Sequence, residues 1–366
     1  MRVRPLSALA AGTIMAVALA MPATARVPIE HYATHPMRVG PGTSTTPTGL
    51  SPATIESVYG FSTPLTAGSG TTIAIVDAYD DPTAEQDLGV FSSQYGLPAC
   101  TTANGCFTKV NQTGGTRYPR ANSGWALEIS LDVQWAHAIA PGAQILLVEA
   151  SSNSFTNLMA AEDYAKKHAQ YVSNSWGGSE FSGETSYDSH FVQSGVSFFV
   201  AAGDAGLPAE YPSSSPNVIS VGGTTLLFSG ATFTGETGWS SGGGGCSAYE
   251  TATSAQSSFS GYAQVGCGGK RATPDVSLDA DPASGVSVYD STKYSGRSGW
   301  FTVGGTSAST PMWAARSADA GAVVNAAYVY GSNITYRDIT SGSNGAPCLV
   351  GFDLCTGRGS WTGATP

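Results

Sequence analysis

Short, continuous apolar runs alternate along the chain with longer stretches in which apolar and polar positions follow a helical period. Apolar runs of this length predict strands at residues 71–77, 144–148, 171–175, 196–201 and 300–303. Helical character is found between them, at residues 52–59, 82–95, 126–138 and 155–168. Strands that alternate with helices predict an α/β fold with a largely parallel sheet covered on both faces. A site in such a fold lies at the carboxyl ends of the strands.

The first 25 residues have the pattern of a cleaved secretory signal. Two arginines precede an apolar run over residues 6–20, and the small residues Ala23-Thr24-Ala25 predict cleavage after Ala25. A membrane span is the alternative, but this run falls short of the roughly 20 apolar residues that a span needs, and no later run approaches that length. We therefore expect a soluble exported protein without a membrane span.

Residues 26–49 are rich in Pro, Thr and Gly and predict an extended leader. We find no internal repeat and no break between two cores, so residues 50–366 predict one domain. The glycine-rich stretch at 240–245 predicts a loop, and a flexible linker is the alternative.

Composition narrows the possible partners. The net charge is −10, and only 16 Lys and Arg residues are spread over 366 positions, which argues against nucleic acid as a partner. Six cysteines form three pairs that are close in sequence: Cys100 with Cys106, Cys246 with Cys267, and Cys348 with Cys355. In an exported chain these predict disulfides rather than a zinc site, and local pairing is preferred among the fifteen possible connectivities.

Ser307 is a candidate nucleophile. It follows Gly304-Gly305-Thr306 at a turn between an apolar run and a helix. Glycines allow a substrate to approach the backbone closely, and a helix start favours developing negative charge. The alternative is that Ser307 or Ser309 only caps the helix.

Three carboxyl groups are candidates for acid and base chemistry. Glu128 and Asp132 are four residues apart and share one helix face, and the nearby Trp135 predicts burial and a shared proton. A solvated acidic surface is the alternative. Asp204 follows an apolar strand at a glycine-flanked turn, where a protonated carboxyl group could donate to an oxyanion. Its alternative is an Asx turn.

A histidine-based triad competes with this hypothesis. Asp77, His137 and Ser307 occur in the chain order that subtilisins use. His137, however, lies nine positions after Glu128 and almost opposite to it on the helix. Both side chains cannot face one site.

The chain resembles the sedolisin family, the serine-carboxyl peptidases, from about residue 50 to residue 363. The resemblance rests on motifs in order: EISLD at 128–132, WAHAIAPGA at 135–143, SNSWG at 173–177, AGDAG at 202–206, GGTSAS at 304–309 and DITSG at 338–342. It implies a subtilisin-like fold and endopeptidase cleavage of polypeptides through an acyl-enzyme at acidic pH. A secreted, monomeric enzyme is expected.

The resemblance also implies roles for single residues. Ser307 would be the nucleophile, Glu128 its general base, Asp132 the partner of Glu128, and Asp204 the protonated acid of the oxyanion hole. The cleft would be lined by Ser175, Trp176 and Gly177, while Asp77 would belong to an outer network.

The tail resembles the calcium site of the family. One structural Ca²⁺ would be held by the side chains of Asp338 and Asp353 and by the carbonyl groups of Ile339, Leu349 and Gly351. Oxygen ligands of this kind suit calcium. Leu349 stands where the family pattern has glycine.

Two departures from the family motivate a competing hypothesis. Only about two dozen residues separate the predicted signal cut from the domain, where the family usually has a long activation domain. The segment 312–336 is also short, and Arg316, Asp319 and Gly321 interrupt its apolar face. A catalytically impaired secreted binding protein that retains the fold is therefore the second hypothesis, and a subtilisin-type histidine protease is the third.

Overall fold

The computed structural model describes Met1, residues 30–331 and residues 333–363. One compact unit covers His31–Pro366, and a separate unit covers Met1–Glu30. The predicted signal, except for Met1, lies outside the described residues. Within the described part of the chain, no helix is long and apolar enough to cross a membrane.

Seven α-helices are assigned in the described residues. In chain order they are α1 Pro52–Tyr59, α2 Ala84–Tyr95, α3 Ser123–Ile139, α4 Phe155–Ala165, α5 Ser254–Ser257, α6 Thr306–Ala320 and α7 Ala326–Tyr330. Two 3₁₀ helices, Glu184–Phe191 and Tyr262–Val265, accompany them.

The strands in the described residues follow the same order. They are β1 Arg38–Val39, β2 Thr72–Ala78, β3 Phe107–Asn111, β4 Gln144–Ala150, β5 Tyr171–Asn174, β6 Gly178–Ser179, β7 Ser197–Ala201, β8 Glu210–Tyr211, β9 Ile219–Ser229, β10 Thr232–Gly238, β11 Gly245–Thr251, β12 Lys270–Thr273, β13 Val276–Asp279, β14 Val286–Tyr294, β15 Arg297–Gly304, β16 Tyr336–Arg337 and β17 Ser360–Trp361.

A ten-stranded sheet organises the unit. Its order is β16-β17-β13-β9-β7-β5-β2-β4-β3, with β10 paired to β9. All neighbours from β17 to β3 are parallel, whereas β16 and β10 are antiparallel at their contacts. Strands β2, β5 and β7 are apolar and buried along their length because helices cover both faces. The predicted α/β architecture is confirmed.

Two apolar cores lie on opposite faces of this sheet. One contains Trp135 of α3 and Met312 of α6, and the other contains Leu158 of α4. Side chains alternate across the sheet, so Ile75 of β2 belongs to the first core while Val76 belongs to the second. Helices α3 and α6 therefore share a face, and this places the residues at their amino-terminal halves near each other.

The helix behind Ser307 is well packed. Helix α6 has 15 residues, and most of them are buried. Arg316 does not interrupt its packing, contrary to the sequence-based expectation. Its guanidinium is buried over the ring of Trp361, is paired with Asp319 at 2.6 Å and donates to the carbonyl group of Gly363 at 2.7 Å.

The described part of the leader packs onto the same unit. Arg38–Val39 pairs antiparallel with Val303 and Gly304 at the end of β15. Further bridges connect Ser44 to Trp300 and Leu50 to Val286. Backbone contacts therefore attach the described part of the predicted leader to the unit at several points.

The three predicted local disulfides are present, joining Cys100 to Cys106, Cys246 to Cys267 and Cys348 to Cys355. His137 lies close to the sulfurs of the first pair. Those sulfurs are bonded to each other, so this group is not a thiolate metal site.

Candidate active site

Helix α3 carries the predicted carboxyl pair. Its first turn is capped by the Asn122 side chain, which accepts from the N–H groups of Gly124 and Trp125. Glu128 and Asp132 lie on the face toward α6, and both are buried. Burial, followed by the nearby charge of Glu128, raises the pKa of Asp132 well above its ordinary value. Asp132 therefore keeps its proton to a higher pH than an exposed aspartate does.

Ser175 connects the carboxyl pair to the serine helix. It follows β5 directly, and its hydroxyl donates to Asp132 Oδ1 at 3.0 Å. The same hydroxyl lies 3.5 Å from the carbonyl oxygen of Ser307. Three segments that are distant in sequence therefore meet at one hydroxyl group.

Ser307 stands in the first turn of α6. The turn before it needs glycine, because Gly305 has φ 105°. The Ser307 side chain is buried, and its Oγ has no hydrogen-bond partner among the described residues. Its own side chain therefore does not cap the helix, and the hydroxyl remains available for chemistry at the positive end of the helix dipole.

Asp204 is fixed beside this turn. Its Oδ1 accepts from the backbone N–H of Thr306 at 2.8 Å and from the Thr306 hydroxyl at 3.1 Å. Burial is the largest influence on its pKa and raises it well above the ordinary value, against the lowering effects of Thr306 and Arg38. Asp204 Oδ2 has no hydrogen-bond partner among the described residues. Arg38 Nε lies 3.6 Å from this oxygen, and a protonated Oδ2 would be a hydrogen-bond donor beside the turn that carries Ser307.

The glycine-rich stretch at 240–245 supports the Asp204 turn and is not a flexible linker. Gly243 donates its N–H to the carbonyl of Gly203 at 2.7 Å, and Gly206 donates to Ser241 at 3.1 Å. A Cβ on Gly243 would collide with the carbonyl of Ala202. Glycine is required here because the two backbone segments touch.

The predicted cleft residues continue from Ser175. Trp176 is buried, and its indole N–H donates to the carbonyl of Val76 at 2.9 Å, so it anchors the segment to β2. The backbone N–H and carbonyl groups of Gly177 form hydrogen bonds with the backbone of Thr34 in the leader. Asp77 at the end of β2 is buried, and burial followed by the charges of Asp132 and Glu128 raises its pKa. Asp77 is therefore close enough to the carboxyl pair to feel its charge, and its part in an outer network stays a prediction.

His137 does not join the nucleophile. Its Nε2 contacts the carbonyl of Pro98 at 2.9 Å, and burial lowers the pKa of its imidazole. Nine residues of α-helix separate it from Glu128, a rise of about 13 Å. The arrangement gives no support to a histidine-dependent triad.

The sequence analysis did not predict that the leader enters the site. His35 Nδ1 lies 3.4 Å from Glu128 Oε2, and Arg38 donates to the carbonyl of Asp204 at 2.8 Å. The backbone N–H of Ser307 points to the carbonyl of Pro36 at 3.4 Å. The His-Pro sequence indicates extended backbone, but it carries no signal for these partners.

Hydrogen bonds link residues of the predicted calcium site in the tail loop. Asp353 accepts from the backbone N–H groups of Leu349, Cys355 and Thr356 at 2.7 to 2.9 Å. Gly351 turns its N–H, at 2.9 Å, toward the carboxylate of Asp338. Ile339, the fifth predicted ligand residue, is buried. An ionised carboxylate has about four lone-pair sites, so Asp338 and Asp353 can accept these N–H groups and still bind a cation, and the calcium site stays a prediction.

The geometry agrees with comparisons to known proteins. The model of the subtilase family matches residues 107–340. The structure of Pseudomonas sedolisin, a serine-carboxyl proteinase complexed with two molecules of pseudo-iodotyrostatin, is similar with a TM-score of 0.73 and 28% identity, over 86% of this chain and 96% of that one. The chain therefore belongs to the subtilase family, and its fold is similar to that of sedolisin.

Three relatives are similar to most of this chain in sequence. Kumamolisin from Bacillus sp. (strain MN-32) is 30% identical over 87% of this chain and 63% of its own length. Xanthomonalisin from Xanthomonas sp. (strain T-22) is 29% identical over 85% of this chain and 45% of its own length. Sedolisin from Pseudomonas sp. (strain 101) is 29% identical over 85% and 60%. The chain thus spans between 45% and 63% of the length of these relatives.

Proposed function

We propose that this chain is a secreted serine-carboxyl endopeptidase that hydrolyses polypeptides in acidic medium. The observation that carries the proposal is the meeting of three buried groups: the Glu128–Asp132 pair, Ser307 with a free hydroxyl, and Asp204 bound to Thr306. None of these groups needs a histidine or a metal to complete its role.

In the proposed reaction, Ser307 Oγ attacks the carbonyl carbon of a peptide bond. Glu128 accepts the hydroxyl proton and passes it to the leaving amine, and Asp132 holds Glu128 in the pair. The backbone N–H of Ser307 and the protonated Asp204 stabilise the negative oxygen of the tetrahedral intermediate. Water then hydrolyses the ester by the same groups in reverse.

Acidic conditions follow from the protonation that each group needs. Asp204 must stay neutral to donate, and its raised pKa keeps it neutral to a higher pH than an exposed aspartate. The carboxyl pair must hold one negative charge to act as a base. Both conditions are met below neutral pH.

One structural Ca²⁺, held by the side chains of Asp338 and Asp353 and the carbonyl groups of Ile339, Leu349 and Gly351, belongs to the proposal and takes no part in the chemical steps. Export by cleavage after Ala25 belongs to the proposal, as do a monomeric state and polypeptide substrates bound along Ser175, Trp176 and Gly177. No contact favours the hypothesis of an impaired binding protein, since helix α6 is packed.

Peptide hydrolysis as a function of pH tests the proposal. Wild type should cleave a reporter peptide between about pH 3 and 5, while Ser307→Ala and Glu128→Gln should lose activity, since neither group has a substitute. Ser309→Ala is the matched control on α6, because its hydroxyl bonds to the carbonyls of Gly222 and Thr306 instead. Full activity of Ser307→Ala would refute the assignment.

A further inference from the structure

A cluster of four carboxyl groups borders the segment that follows the proposed cleft residues. This carboxyl cluster consists of Glu180, Glu184 and Asp188, all in segment 180–191, and Glu250 of β11. Strand β6 continues directly from Gly177 and pairs with β8, and Glu180 is the next residue of the chain. Glu184 is 0% exposed and Glu250 is 3% exposed. These buried groups have no part in the proposed reaction, yet they lie where the chain leaves the cleft.

The carboxyl cluster connects segment 180–191 to β11. Glu180 accepts hydrogen bonds from the Ser247 hydroxyl and, at 2.8 Å, from the backbone N–H of Ala248. The Ser247 hydroxyl in turn accepts from the backbone N–H of Glu250 at 2.7 Å. Side chains of the cluster therefore hold together two segments that are distant in sequence.

Within the cluster, the carboxyl groups meet in two pairs. Glu184 forms a side-chain hydrogen bond with Glu180. Glu250 forms one with Asp188, and Asp188 also accepts from the hydroxyl of Tyr211 at 3.1 Å. Oε1 of Glu184 and Oε1 of Glu250 are buried, and no described donor group bonds to either oxygen. Two carboxyl groups can share a hydrogen bond only while one of them carries a proton. Each pair is therefore attractive while it holds a proton and repulsive when both groups are ionised.

Little positive charge opposes this repulsion. Within the described residues, none of the four members of the cluster forms an ion pair. Lys270 of β12 lowers the pKa of Glu250, but its Nζ donates to the carbonyl of Tyr249 at 3.0 Å. His190 pairs with Asp163 of α4 at 3.0 Å. Further charged or titratable groups at the segment are Lys166, which pairs with Asp163 and donates to the carbonyls of Ser189 and His190, and His31, which stacks on Phe181.

The two pairs keep their protons above the pH at which exposed carboxyl groups ionise. Burial is the largest influence, and the pKa of Glu184 and that of Glu250 are each raised to about 8. Burial also raises the pKa of Tyr211, so this phenol remains a donor to Asp188. Because the folded-state pKa is raised, the pairs stabilise the fold fully below the unfolded value of about 4.3. This contribution is lost as pH rises toward 8.

We propose that the carboxyl cluster holds segment 180–191 against β11 in acidic medium and releases it as the medium approaches neutral pH. The consequence for cleavage rests on the proposed function. The segment continues from Ser175, Trp176 and Gly177, so its release removes support from the wall along which a polypeptide substrate binds. The cluster thus confines the ordered cleft to acidic medium, independently of the catalytic carboxyl groups.

Hydrogen–deuterium exchange at pH 4 and pH 8 tests the proposal. The full chain carries Ser307→Ala, which excludes digestion during the measurement, and exchange is expressed as a protection factor relative to the unfolded chain at the same pH. We expect the protection factor of residues 180–191 to fall about tenfold or more from pH 4 to pH 8, because each pH unit over which a proton is retained corresponds to a factor of about ten. That of β9, in the central sheet, should change less.

Variants of the cluster identify the groups that cause the fall. In the double variant Glu184→Gln, Glu250→Gln, amide groups can donate to the neighbouring carboxylates at every pH, so protection should change less than about twofold. Glu180→Gln, at a partly exposed position, is a second variant that should reduce the fall even if the double variant does not fold. Asp290→Asn is the matched control. It removes another buried carboxyl group whose pKa is raised to about 8, and it should keep the fall of residues 180–191.

Three results would overturn the inference. They are equal protection of residues 180–191 at both pH values, an equal fall in the glutamine variants and the parent chain, and a loss of protection in β9 as large as that in the segment, which would indicate unfolding of the whole unit.

Hydrolysis of the reporter peptide separates the two proposals. A chain with Ser307 that cleaves the reporter, while the protection of residues 180–191 does not depend on pH, would overturn the inference and leave the proposed function standing. A fall in protection that the glutamine variants abolish, in a chain that cleaves no reporter at any pH, would support the release of the segment and refute the proposed function.

Discussion

The hydroxyl of Ser175 donates to Asp132 Oδ1 over 3.0 Å. Burial and the charge of Glu128 raise the pKa of Asp132. The hydrogen bond from Ser175 acts in the opposite direction, because it favours the ionised form. Because Ser175 also borders the carbonyl of Ser307, the charge on the pair is coupled to the geometry of the nucleophile helix.

Removal of this hydroxyl should move the acidic limb of the activity profile. In Ser175→Ala the carboxyl pair loses the donor that lowers its pKa, so its first ionisation should require a higher pH by about one unit, which corresponds to about 1.4 kcal/mol. The measurement is kcat/KM as a function of pH. Ser130→Ala is the control on the same helix, because its hydroxyl bonds to Asp81 instead. Superimposable profiles for Ser175→Ala and wild type would contradict the coupling.

Asp204 should control the rate and the alkaline limb. Asp204→Ala removes a donor from the oxyanion hole and should lower kcat about 10²- to 10³-fold with a smaller change in KM. Asp204→Asn retains an N–H donor that cannot ionise, so its activity should not fall at the pH where wild type loses the Asp204 proton. Asp163→Asn, at a partly exposed pair with Lys166, controls for a general loss of acid groups. If Asp204→Asn and wild type lose activity over the same pH range, another group causes that limb.

Stability should fall as pH rises. Burial raises the pKa of Glu149 to about 9, of Glu162 to about 8 and of Asp290 to about 8. A raised pKa in the folded state means that these groups stabilise the fold fully below their unfolded pKa, near 4. This stabilisation is lost as pH rises toward 8 or 9, at about 1.4 kcal/mol per pH unit for each proton that the folded state retains.

Thermal unfolding between pH 4 and pH 8 measures this effect. Tm should decrease across the range, and Glu162→Gln should flatten the decrease because a neutral amide replaces the retained proton. Glu56→Gln on α1 is the control, since Glu56 is partly exposed. A Tm that rises from pH 4 to pH 8 would refute the prediction.

The tail loop should depend on its disulfide and on calcium. Removal of calcium with a chelator should lower Tm, because an ion that binds only the folded loop through Asp338 and Asp353 stabilises the folded state, and Asp353→Asn should abolish this effect. The double variant Cys348→Ala, Cys355→Ala should lower the free energy of unfolding by about 2–3 kcal/mol through greater freedom of the unfolded chain. The Cys100→Ala, Cys106→Ala variant provides a loop of similar length for comparison. A Tm that does not change after chelation would contradict the calcium site.

Much of the architecture follows from local sequence. The runs that form β2, β4, β5 and β7 are apolar because both faces of a parallel sheet are covered, and this pattern is visible without the structure. The spacing of Glu128 and Asp132 on one helix is likewise a local property, and so is the glycine turn before Ser307. The observed ends of some elements differ from the predicted ends by a few residues. Helix α3, for example, begins at Ser123 and not at residue 126, because Asn122 caps it.

The sequence by itself determined the fold class, favoured the three local disulfide pairs and named the four candidate catalytic side chains, because each depends on short-range pattern or on a motif. Only the tertiary structure decided the partners of the buried carboxyl groups and the segment that lies in the proposed cleft. The leader contacts at Gly177 and Ser307 use backbone groups that every residue carries and join positions more than 100 residues apart. Such contacts leave no pattern in the chain. They arise only when folding brings the carboxyl ends of the strands, helix α6 and the leader to one place.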